Sequence, residues 1–180
     1  MYSDLKIAGF GGQGIMLMGQ VLTYAGMKEG KKVLWFPSYG PEMRGGSANC
    51  TVIISDEEIG SPVISHPFNL ILMNQPALDR FEKSLRPDGL LVYNSSMITG
   101  SHKRSDIRAI KIPATEIARE LGNPRVANMV ALGAYLQVNP VVRKETVIEV
   151  LKEAFKEKEK FIPINLKALK KGEEAVKALQ

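Results

Sequence analysis

Cysteine and histidine are scarce in this sequence, and their scarcity excludes several kinds of site. The 180 residues include one cysteine, Cys50, and two histidines, His66 and His102. A single cysteine excludes an internal disulfide, and it excludes an iron–sulfur or zinc site built only from cysteines of this chain. Neither histidine has a carboxylate or cysteine at metal-ligand spacing, so no metal site is expected. Cys50 lies in an apolar run typical of a strand, where we expect a small buried side chain rather than a nucleophile.

Long apolar runs are also missing, and the excess of charge is modest. No stretch approaches the roughly 18 to 20 uncharged apolar residues of a membrane span, and no basic region followed by an apolar core opens the chain. We therefore expect a cytoplasmic protein. The net charge is +5, with much of the excess in lysines between Lys144 and Lys177 that alternate with glutamates. Such runs usually form solvated helix faces, so binding of nucleic acid is not predicted.

A glycine-rich turn joins the first predicted strand to the first predicted helix. The strand covers residues 5–8 and the helix residues 15–29, and the glycines between them have the G-x-G-x-x-G spacing of a dinucleotide-binding turn. The first N–H groups of a helix lack partners and can bind an anion. The same glycines could instead serve only close packing of strand against helix. The candidate ligand-binding or interface residues here are Gly9, Gly11, Gly12, Gln13 and Gly14.

An acidic residue is missing where a dinucleotide-binding fold usually needs one. That residue stands about 20 positions after the glycine turn, at the end of the second strand, and holds the ribose. Here the second predicted strand covers residues 32–36 and continues into Pro37-Ser38-Tyr39, without a carboxylate. No arginine directly follows the strand to receive a 2′-phosphate. We therefore expect no meaningful affinity for NAD or NADP.

A second glycine-rich loop, residues 38–47, carries an aromatic side chain and two opposite charges. The Arg44 guanidinium beside the N–H groups of two glycines suits a carboxylate or a phosphate, and Glu42 could orient it. Alternatively, Glu42 and Arg44 pair with each other and the loop is an interface element. Tyr39 could stack on a ligand or donate a hydrogen bond. The candidate ligand-binding or interface residues here are Tyr39, Glu42, Arg44, Gly45 and Gly46.

The remaining pattern alternates strands with helices and predicts an α/β fold. We expect a doubly wound, mostly parallel, Rossmann-like sheet flanked by helices, with a helical C-terminal part, in a single domain over residues 1–180. A hairpin of strand 48–54 with segment 59–63 is expected to add an antiparallel excursion at an edge of the sheet. Because strand ends line the crevice of such sheets, the loops after Ala8, Phe36, Met73 and Tyr93 are expected to converge. Further predicted strands are 69–74, 89–93 and 109–113, and further predicted helices are 77–85, 114–121, 126–138, 143–157 and 163–179.

With these features placed, the chain resembles the gamma subunit of 2-oxoacid:ferredoxin oxidoreductases. The resemblance extends from Asp4 to the C-terminal helix, and its more specific motif is Tyr39-Gly40-Pro41-Glu42-Met43-Arg44-Gly45-Gly46. The form that this motif takes from Glu42 to Asn49 looks most like the 2-oxoglutarate branch. Asn74-Gln75-Pro76 and residues 165–169 also resemble the family.

The resemblance implies a gamma-type catalytic domain of pyruvate/ketoisovalerate oxidoreductases within a multi-subunit enzyme. That enzyme decarboxylates a 2-oxoacid, transfers the acyl group to coenzyme A and passes electrons to ferredoxin. Alpha and beta subunits would hold thiamine diphosphate with Mg²⁺, and 4Fe–4S clusters would lie in the beta or a small delta subunit. This chain would bind none of these cofactors alone and would be inactive alone. Its partners would be alpha and beta subunits, and a delta subunit where a delta subunit holds the clusters.

The residues by themselves are also compatible with two other functions. A free-standing nucleotide-binding enzyme would use the glycine turn directly, and the missing acidic residue argues against it. A docking or regulatory protein would bind a larger enzyme without contributing to its site. Such a protein and a gamma subunit would both expose apolar surface.

Overall fold

The computed structural model describes residues 1–39 and 46–179. This part of the chain contains a mixed six-stranded sheet flanked by helices. The strands are β1 (Tyr2–Phe10), β2 (Lys32–Tyr39), β3 (Ser47–Ser55), β4 (Asn69–Leu72), β5 (Leu90–Asn94) and β6 (Arg108–Ile112). The α-helices are α1 (Ile15–Lys28), α2 (Gln75–Phe81), α3 (Ala114–Glu120), α4 (Ala127–Val138), α5 (Lys144–Ala154) and α6 (Ile162–Lys177). Short 3₁₀ segments cover Glu82–Ser84, Pro124–Val126 and Glu159–Phe161.

The strand order is β2-β3-β1-β4-β5-β6, which confirms the predicted α/β class. The pairs β1–β4, β4–β5 and β5–β6 are parallel, whereas β3 is antiparallel to both of its neighbours. The predicted antiparallel excursion therefore exists, but its position was wrong. β3 lies inside the sheet, with Val52 opposite Leu5 on one side and opposite Trp35 on the other.

The composition of the two segments explains why β3 pairs with β2 and not with residues 59–63. From Cys50 to Ser55 every β3 residue is buried, so both faces of the strand need cover, and an interior position provides it. The segment 59–63 contains Gly60 and Pro62, forms no strand, and exposes 69% of Val63. Apolar and polar residues do not alternate along this segment, so it has no apolar face that pairing in a sheet would bury.

Helices cover both faces of the sheet. Ile7, Ile71 and Val92 contribute to one apolar cluster, which also contains buried residues of α1, α4, α5 and α6. Ala8, Leu72 and Leu91 point the other way and belong to a second cluster, with α2. Helix α4 has hardly any polar face and is buried from Ala127 to Leu136. Its central position explains that composition.

Most element bounds lie within three residues of the prediction. The largest difference is at α2, which was predicted to reach residue 85 and ends at Phe81, where the 3₁₀ segment Glu82–Ser84 follows. β2 continues through Pro37 to Tyr39 instead of ending at Phe36. Proline is tolerated there because β2 is an edge strand, and its missing N–H needs no partner on the open side. Helix α5 ends at Ala154, and residues 155–161 form a turn that leads into α6. Across residues 1–39 and 46–179, no helix combines the length and apolarity needed to cross a membrane.

Helices α4 and α6 cross at two glycines, and this contact predicts a sharp mutational effect. A Cβ at Gly172 would fall on the backbone carbonyl of Val130, and one at Gly133 on that of Leu169. Because backbone cannot move aside, Gly172→Ala should lower the free energy of unfolding by about 2–3 kcal/mol and the Tm by about 5–10 °C. Thermal unfolding followed by circular dichroism measures this. Gly60→Ala is the matched control, since Gly60 faces open space; equal Tm values for the two variants would contradict this helix packing.

Candidate functional site

The candidate site lies at the edge of the sheet where the parallel strands end. β1 leads into α1 on one face and β4 leads into α2 on the other, so the crevice between them is a topological switch point. The loops after β1, β4 and β5 meet at this edge. Gln13 donates through Nε2 to the Met73 carbonyl at 3.2 Å, and Asn94 donates through Nδ2 to the same oxygen at 3.4 Å. The predicted convergence is thereby confirmed for these three loops.

Gln13 holds the glycine turn in place with both ends of its carboxamide. Its Oε1 accepts a hydrogen bond from the Phe10 N–H at 2.7 Å while its Nε2 reaches Met73. A side chain at Gly9 would occupy the space that the Gln13 carboxamide fills. Gln13 was a candidate for binding a ligand or a partner, and the structure shows that its polar atoms bridge β1 and β4.

Gly14 sets the start of helix α1. Its φ of 73° is left-handed, a conformation that glycine adopts without strain, and a Cβ there would fall on the Asn128 carboxamide. Asn128 is buried and donates through Nδ2 to the Gly14 carbonyl at 3.4 Å. No side chain of the described residues caps α1, and no acidic residue stands in its first turn. The open N–H groups at this end can therefore donate hydrogen bonds to a bound anion.

The second glycine-rich loop starts from the same place as the glycine turn. The Gly11 N–H donates to the Gly46 carbonyl at 2.9 Å, so the two stretches singled out in the sequence are neighbours. The backbone of Tyr39 pairs with Ala48 at the end of β2. The candidate residues Glu42, Arg44 and Gly45 lie outside the residues that the structure describes.

Two buried asparagines at this edge have structural partners. Asn74 accepts a hydrogen bond from the Ala77 N–H at 2.9 Å and so caps α2. Asn94 donates through Nδ2 to the Thr115 hydroxyl at 2.9 Å, which ties β5 to α3. Their polar groups position the loops, and other side chains must supply contacts to a ligand.

At least four cavities border the glycine turn, and two of them share a basic side chain. The first, here called the switch-point cavity, measures about 320 Å³ and lies between Phe10, Met73 and Arg119. The second, here called the helix-side cavity, measures about 370 Å³ and lies between Gly14, Phe155 and Asn165. Gly12 and Arg125 line both cavities. Volumes of this size are within the roughly 300–1,000 Å³ typical of small-molecule sites.

Arg119 and Arg125 give this edge a positive charge that the sequence interpretation missed. Both are exposed, and no ion pair within the described ranges involves either guanidinium. Arg125 lies in the 3₁₀ segment Pro124–Val126, which Asn123 caps. The Arg125 N–H donates to Asn123 Oδ1 at 3.0 Å. The sequence feature that could have indicated this positive charge is the Asn123-Pro124-Arg125 turn between two helices. An unpaired arginine beside open N–H groups suits phosphate or carboxylate.

A larger cavity of about 450 Å³ lies away from this edge, beyond the C-terminus of α1. Its charged groups already neutralise one another, as Lys144 pairs with Glu173 at 2.5 Å and Arg143 with Glu29 at 3.5 Å. The pKa of Glu29 is lowered, because the hydrogen bonds from the Arg143 N–H and Thr146 and the nearby cations outweigh the effect of its burial. These pairs join α1 to α5 and α5 to α6, so we assign this cavity a structural role.

The strand order gives a second reason to expect no dinucleotide at the glycine turn. A dinucleotide-binding sheet has its second strand beside its first, which brings the ribose ligand close to the turn. Here β3 separates β2 from β1, so the end of β2 is two strands away from the turn. Across residues 1–39 and 46–179, no cluster of three or more His, Cys, Asp or Glu side chains is arranged to hold a metal ion.

This fold and edge define a Rossmann-like α/β domain with arginines at its switch point. The sequence matches the pyruvate ferredoxin/flavodoxin oxidoreductase family over residues 4–175, and the chain belongs to this family. The resemblance seen in the sequence is thereby confirmed.

Two relatives differ in how much longer they are than this chain. The ketoisovalerate oxidoreductase subunit VorA of Methanothermobacter thermautotrophicus is 43% identical over 94% of this chain but only 35% of the relative. The 2-oxoglutarate synthase subunit KorC of Methanocaldococcus jannaschii is 35% identical over 99% of this chain and 96% of the relative. The chain thus spans about a third of the first relative and nearly all of the second.

Solved structures show the same relationship. The gamma subunit of a keto/oxoacid ferredoxin oxidoreductase from Geobacter sulfurreducens matches with a TM-score of 0.83 and 30% identity, over 98% of this chain and 99% of that one. The 2-oxoglutarate:ferredoxin oxidoreductase of Magnetococcus marinus, solved with 2-oxoglutarate, coenzyme A and succinyl-CoA bound, matches with a TM-score of 0.88 and 28% identity. That match covers 99% of this chain and 32% of the Magnetococcus chain.

The Gln13 bridge predicts a local effect on the glycine turn. Gln13→Ala removes both hydrogen bonds and leaves the Phe10 N–H without its acceptor, so amide exchange at Phe10 should accelerate about tenfold or more. Hydrogen–deuterium exchange read by NMR or mass spectrometry measures it. Gln20→Ala is the control, because within the described residues the Gln20 side chain forms no hydrogen bond. Unchanged exchange in residues 10–14 of Gln13→Ala would show that the bridge does not hold the turn.

Cys50 is buried in the core, as the sequence predicted, and should be chemically inert. Burial raises the pKa of its thiol to about 12, so the thiol stays protonated at pH 8, and it has no exposed surface. An aromatic disulfide reagent at pH 8 should leave the native protein unlabelled and should titrate one thiol per chain in denaturant. Rapid labelling of the native protein, with its fold verified by circular dichroism, would contradict this placement.

Proposed function

We propose that this chain is the gamma subunit of a 2-oxoacid:ferredoxin oxidoreductase, which converts 2-oxoglutarate or a related 2-oxoacid to the acyl-CoA and passes the electrons to ferredoxin. The observation that carries the proposal is the match to a solved gamma subunit over 98% of this chain and 99% of that one. The 2-oxoglutarate relative supports the same assignment over nearly its whole length. The ketoisovalerate relative favours a branched 2-oxoacid as the second candidate substrate.

Subunit partners follow from the lengths of the relatives. In the Methanothermobacter and Magnetococcus chains, the region that matches this chain is about a third of the polypeptide. In the Methanocaldococcus relative, a subunit of almost the length of this chain carries the same region. A region that is covalently joined to further polypeptide in one relative and separate in another is expected to bind that polypeptide when separate. We therefore propose that this chain binds alpha and beta subunits, and a delta subunit where a delta subunit holds the clusters. Ferredoxin is proposed as a partner of the whole complex.

The residues of this chain do not fit the redox cofactors of such an enzyme. A 4Fe–4S cluster takes four cysteine ligands, whereas the single cysteine here is fully buried. The clusters are accordingly assigned to the partner subunits, and thiamine diphosphate with Mg²⁺ is assigned to them on the resemblance to the family.

Coenzyme A is the ligand that the switch-point edge of this chain suits best. Its phosphates match the open N–H groups of α1 and the guanidinium groups of Arg119 and Arg125, which form no ion pair with the residues that the structure describes. We retain the candidate residues of the sequence interpretation as contacts with coenzyme A or with a partner subunit: Gly9, Gly11, Gly12, Gln13 and Gly14 in the turn, and Tyr39, Glu42, Arg44, Gly45 and Gly46 in the loop. Gln13 would act by holding the turn.

Purification from the native source, followed by activity assays, tests the proposal. The tagged chain should bring down larger subunits and a brown iron–sulfur chromophore, and this complex should reduce a dye with coenzyme A and one 2-oxoacid. Assays with 2-oxoglutarate, 2-oxoisovalerate and pyruvate identify the substrate, and the isolated chain should show no turnover. A colourless monomer without partners, or turnover by this chain alone, would overturn the assignment.

Arg44 provides the site test within the complex. If its guanidinium binds a phosphate or carboxylate, Arg44→Ala should raise the KM of the complex for coenzyme A or 2-oxoacid about 10- to 150-fold, the equivalent of about 1.5–3 kcal/mol. Arg44→Lys should recover only part of this loss, because an ammonium keeps the charge without the planar fork. Steady-state kinetics with assembly checked by size-exclusion chromatography measure the effect. An intact Arg44→Ala complex with unaltered constants for both ligands would remove Arg44 from the site.

A further inference from the structure

The apolar cluster on the α2 face of the sheet ends at β1. Within residues 1–39 and 46–179, this cluster includes Ala8 of β1 and no residue of β2 or β3. Lys6 lies on the same face as Ala8, because side chains two residues apart in a strand point the same way. Lys6 pairs with Thr51 of β3, which pairs with Phe36 of β2, so these three side chains form one row across the sheet. At the end of this row Phe36 is 51% exposed, although it lies within a strand.

Two cations lie over one aromatic ring where this row meets α2. The Lys6 ammonium is 5.1 Å from the centre of the Phe81 ring, and the Arg80 guanidinium is also 5.1 Å from it. Within the described residues, neither cation forms an ion pair or a side-chain hydrogen bond. The pKa of Lys6 is lowered, first by its burial and then by the charge of Arg80. A half-buried cation that faces a second cation favours a bound anion at this position.

A small cavity of about 240 Å³ opens beside Arg80 and Phe81. Phe10 and Pro76 supply apolar walls, and no aspartate or glutamate of the described ranges lines it. Asn74 also lines the cavity and is 2% exposed; its Oδ1 caps α2, whereas its Nδ2 donates to no acceptor among the described residues. The volume is below the roughly 300 Å³ at which small-molecule sites begin, so the cavity suits a protein side chain better than a free metabolite.

The charge and shape of this region fit a protein segment that carries a carboxylate beside an apolar side chain. A carboxylate forms charge-assisted hydrogen bonds with both an ammonium and a guanidinium, so one acidic group would neutralise Lys6 and Arg80 together. Arginine and aromatic residues are also the types enriched at the centres of protein interfaces. The exposed ring of Phe36 extends the same surface across β2.

We propose that Lys6, Phe36, Arg80 and Phe81, here called the outer-sheet surface, dock a segment of a partner subunit. The segment presents an aspartate or glutamate to Lys6 and Arg80, and its neighbouring apolar side chain enters the cavity beside Asn74. The existence of partner subunits rests on the proposed function. The position of the contact and its chemistry rest on this surface.

Substitution of Lys6 separates docking from folding. Lys6→Met removes the half-buried charge and keeps an unbranched apolar side chain, so the isolated variant should fold with an equal or higher Tm. The same variant should dissociate from co-produced alpha and beta subunits about tenfold faster, because the partner carboxylate loses its ammonium. Circular dichroism gives the Tm, and surface plasmon resonance gives the dissociation rate. A dissociation rate equal to that of the unsubstituted chain would overturn the proposal.

A matched pair of charge reversals tests the same surface at exposed positions. Arg80 and Lys83 are both exposed and lie three residues apart, but Lys83 is outside the cavity lining. Arg80→Glu should weaken binding of the partner subunits about tenfold or more, whereas Lys83→Glu should change it by less than about twofold. Equal effects of the two reversals would remove Arg80 from the interface.

Carbodiimide cross-linking identifies the occupant, because this reagent joins an amine to a carboxylate in contact with it. In the assembled complex, mass spectrometry should find Lys6 linked to an aspartate or glutamate of the alpha or beta subunit. A link from Lys6 to a carboxylate of this chain, or no link at Lys6, would overturn the proposal. Calorimetric titration of the isolated chain with 2-oxoglutarate should show no binding that depends on Arg80. Binding that Arg80→Glu abolishes would assign the surface to a small carboxylate and overturn docking.

Failure of the docking surface and failure of the proposed function give different results. A complex that assembles equally well with the unsubstituted, Lys6→Met and Arg80→Glu chains would refute the outer-sheet surface and retain the gamma-subunit assignment. An unsubstituted chain that forms no complex would refute the gamma-subunit assignment, and the docking proposal with it.

Discussion

The carboxamide bridge of Gln13 is the constraint on which the functional edge depends. It joins the end of β1 to the end of β4, across the point where the connections change from one face of the sheet to the other. Gly9 leaves the space that the carboxamide needs, and Gly14 turns the chain so that α1 starts with open N–H groups. Both cavities of the candidate site open beside the turn that this bridge holds.

The sequence predicted what local chemistry determines. The start of α1 at Ile15, the strand before it and the burial of α4 follow from glycine positions and from the spacing of apolar residues along one segment. The pairing of β3 was predicted incorrectly, because a strand that is buried on both faces can pair with any neighbour that covers it. The position of β3 between β1 and β2 depends on tertiary contacts, which no local sequence pattern predicts.

The candidate site was predicted in part for the same reason. Gly11 and Gly46 belong to the two glycine-rich stretches identified in the sequence, and they are hydrogen-bonded neighbours in the structure. Arg125 and Asn165, separated by many residues, come together only because α4 packs closely on α6 and the turn after α5 folds back. Their residue types carry no periodic signal, so composition and spacing could not indicate them.

Taken with the length of its relatives, the edge suggests how the chemistry is divided in the enzyme. In the proposed function, partner subunits hold the redox cofactors, and this chain contributes the glycine turn and the basic side chains of the switch-point edge. Hydrogen–deuterium exchange on the assembled complex, with and without coenzyme A, tests this division most directly. The proposed function predicts that coenzyme A protects residues 10–17 and 123–128 of this chain. Protection confined to the partner subunits would contradict it.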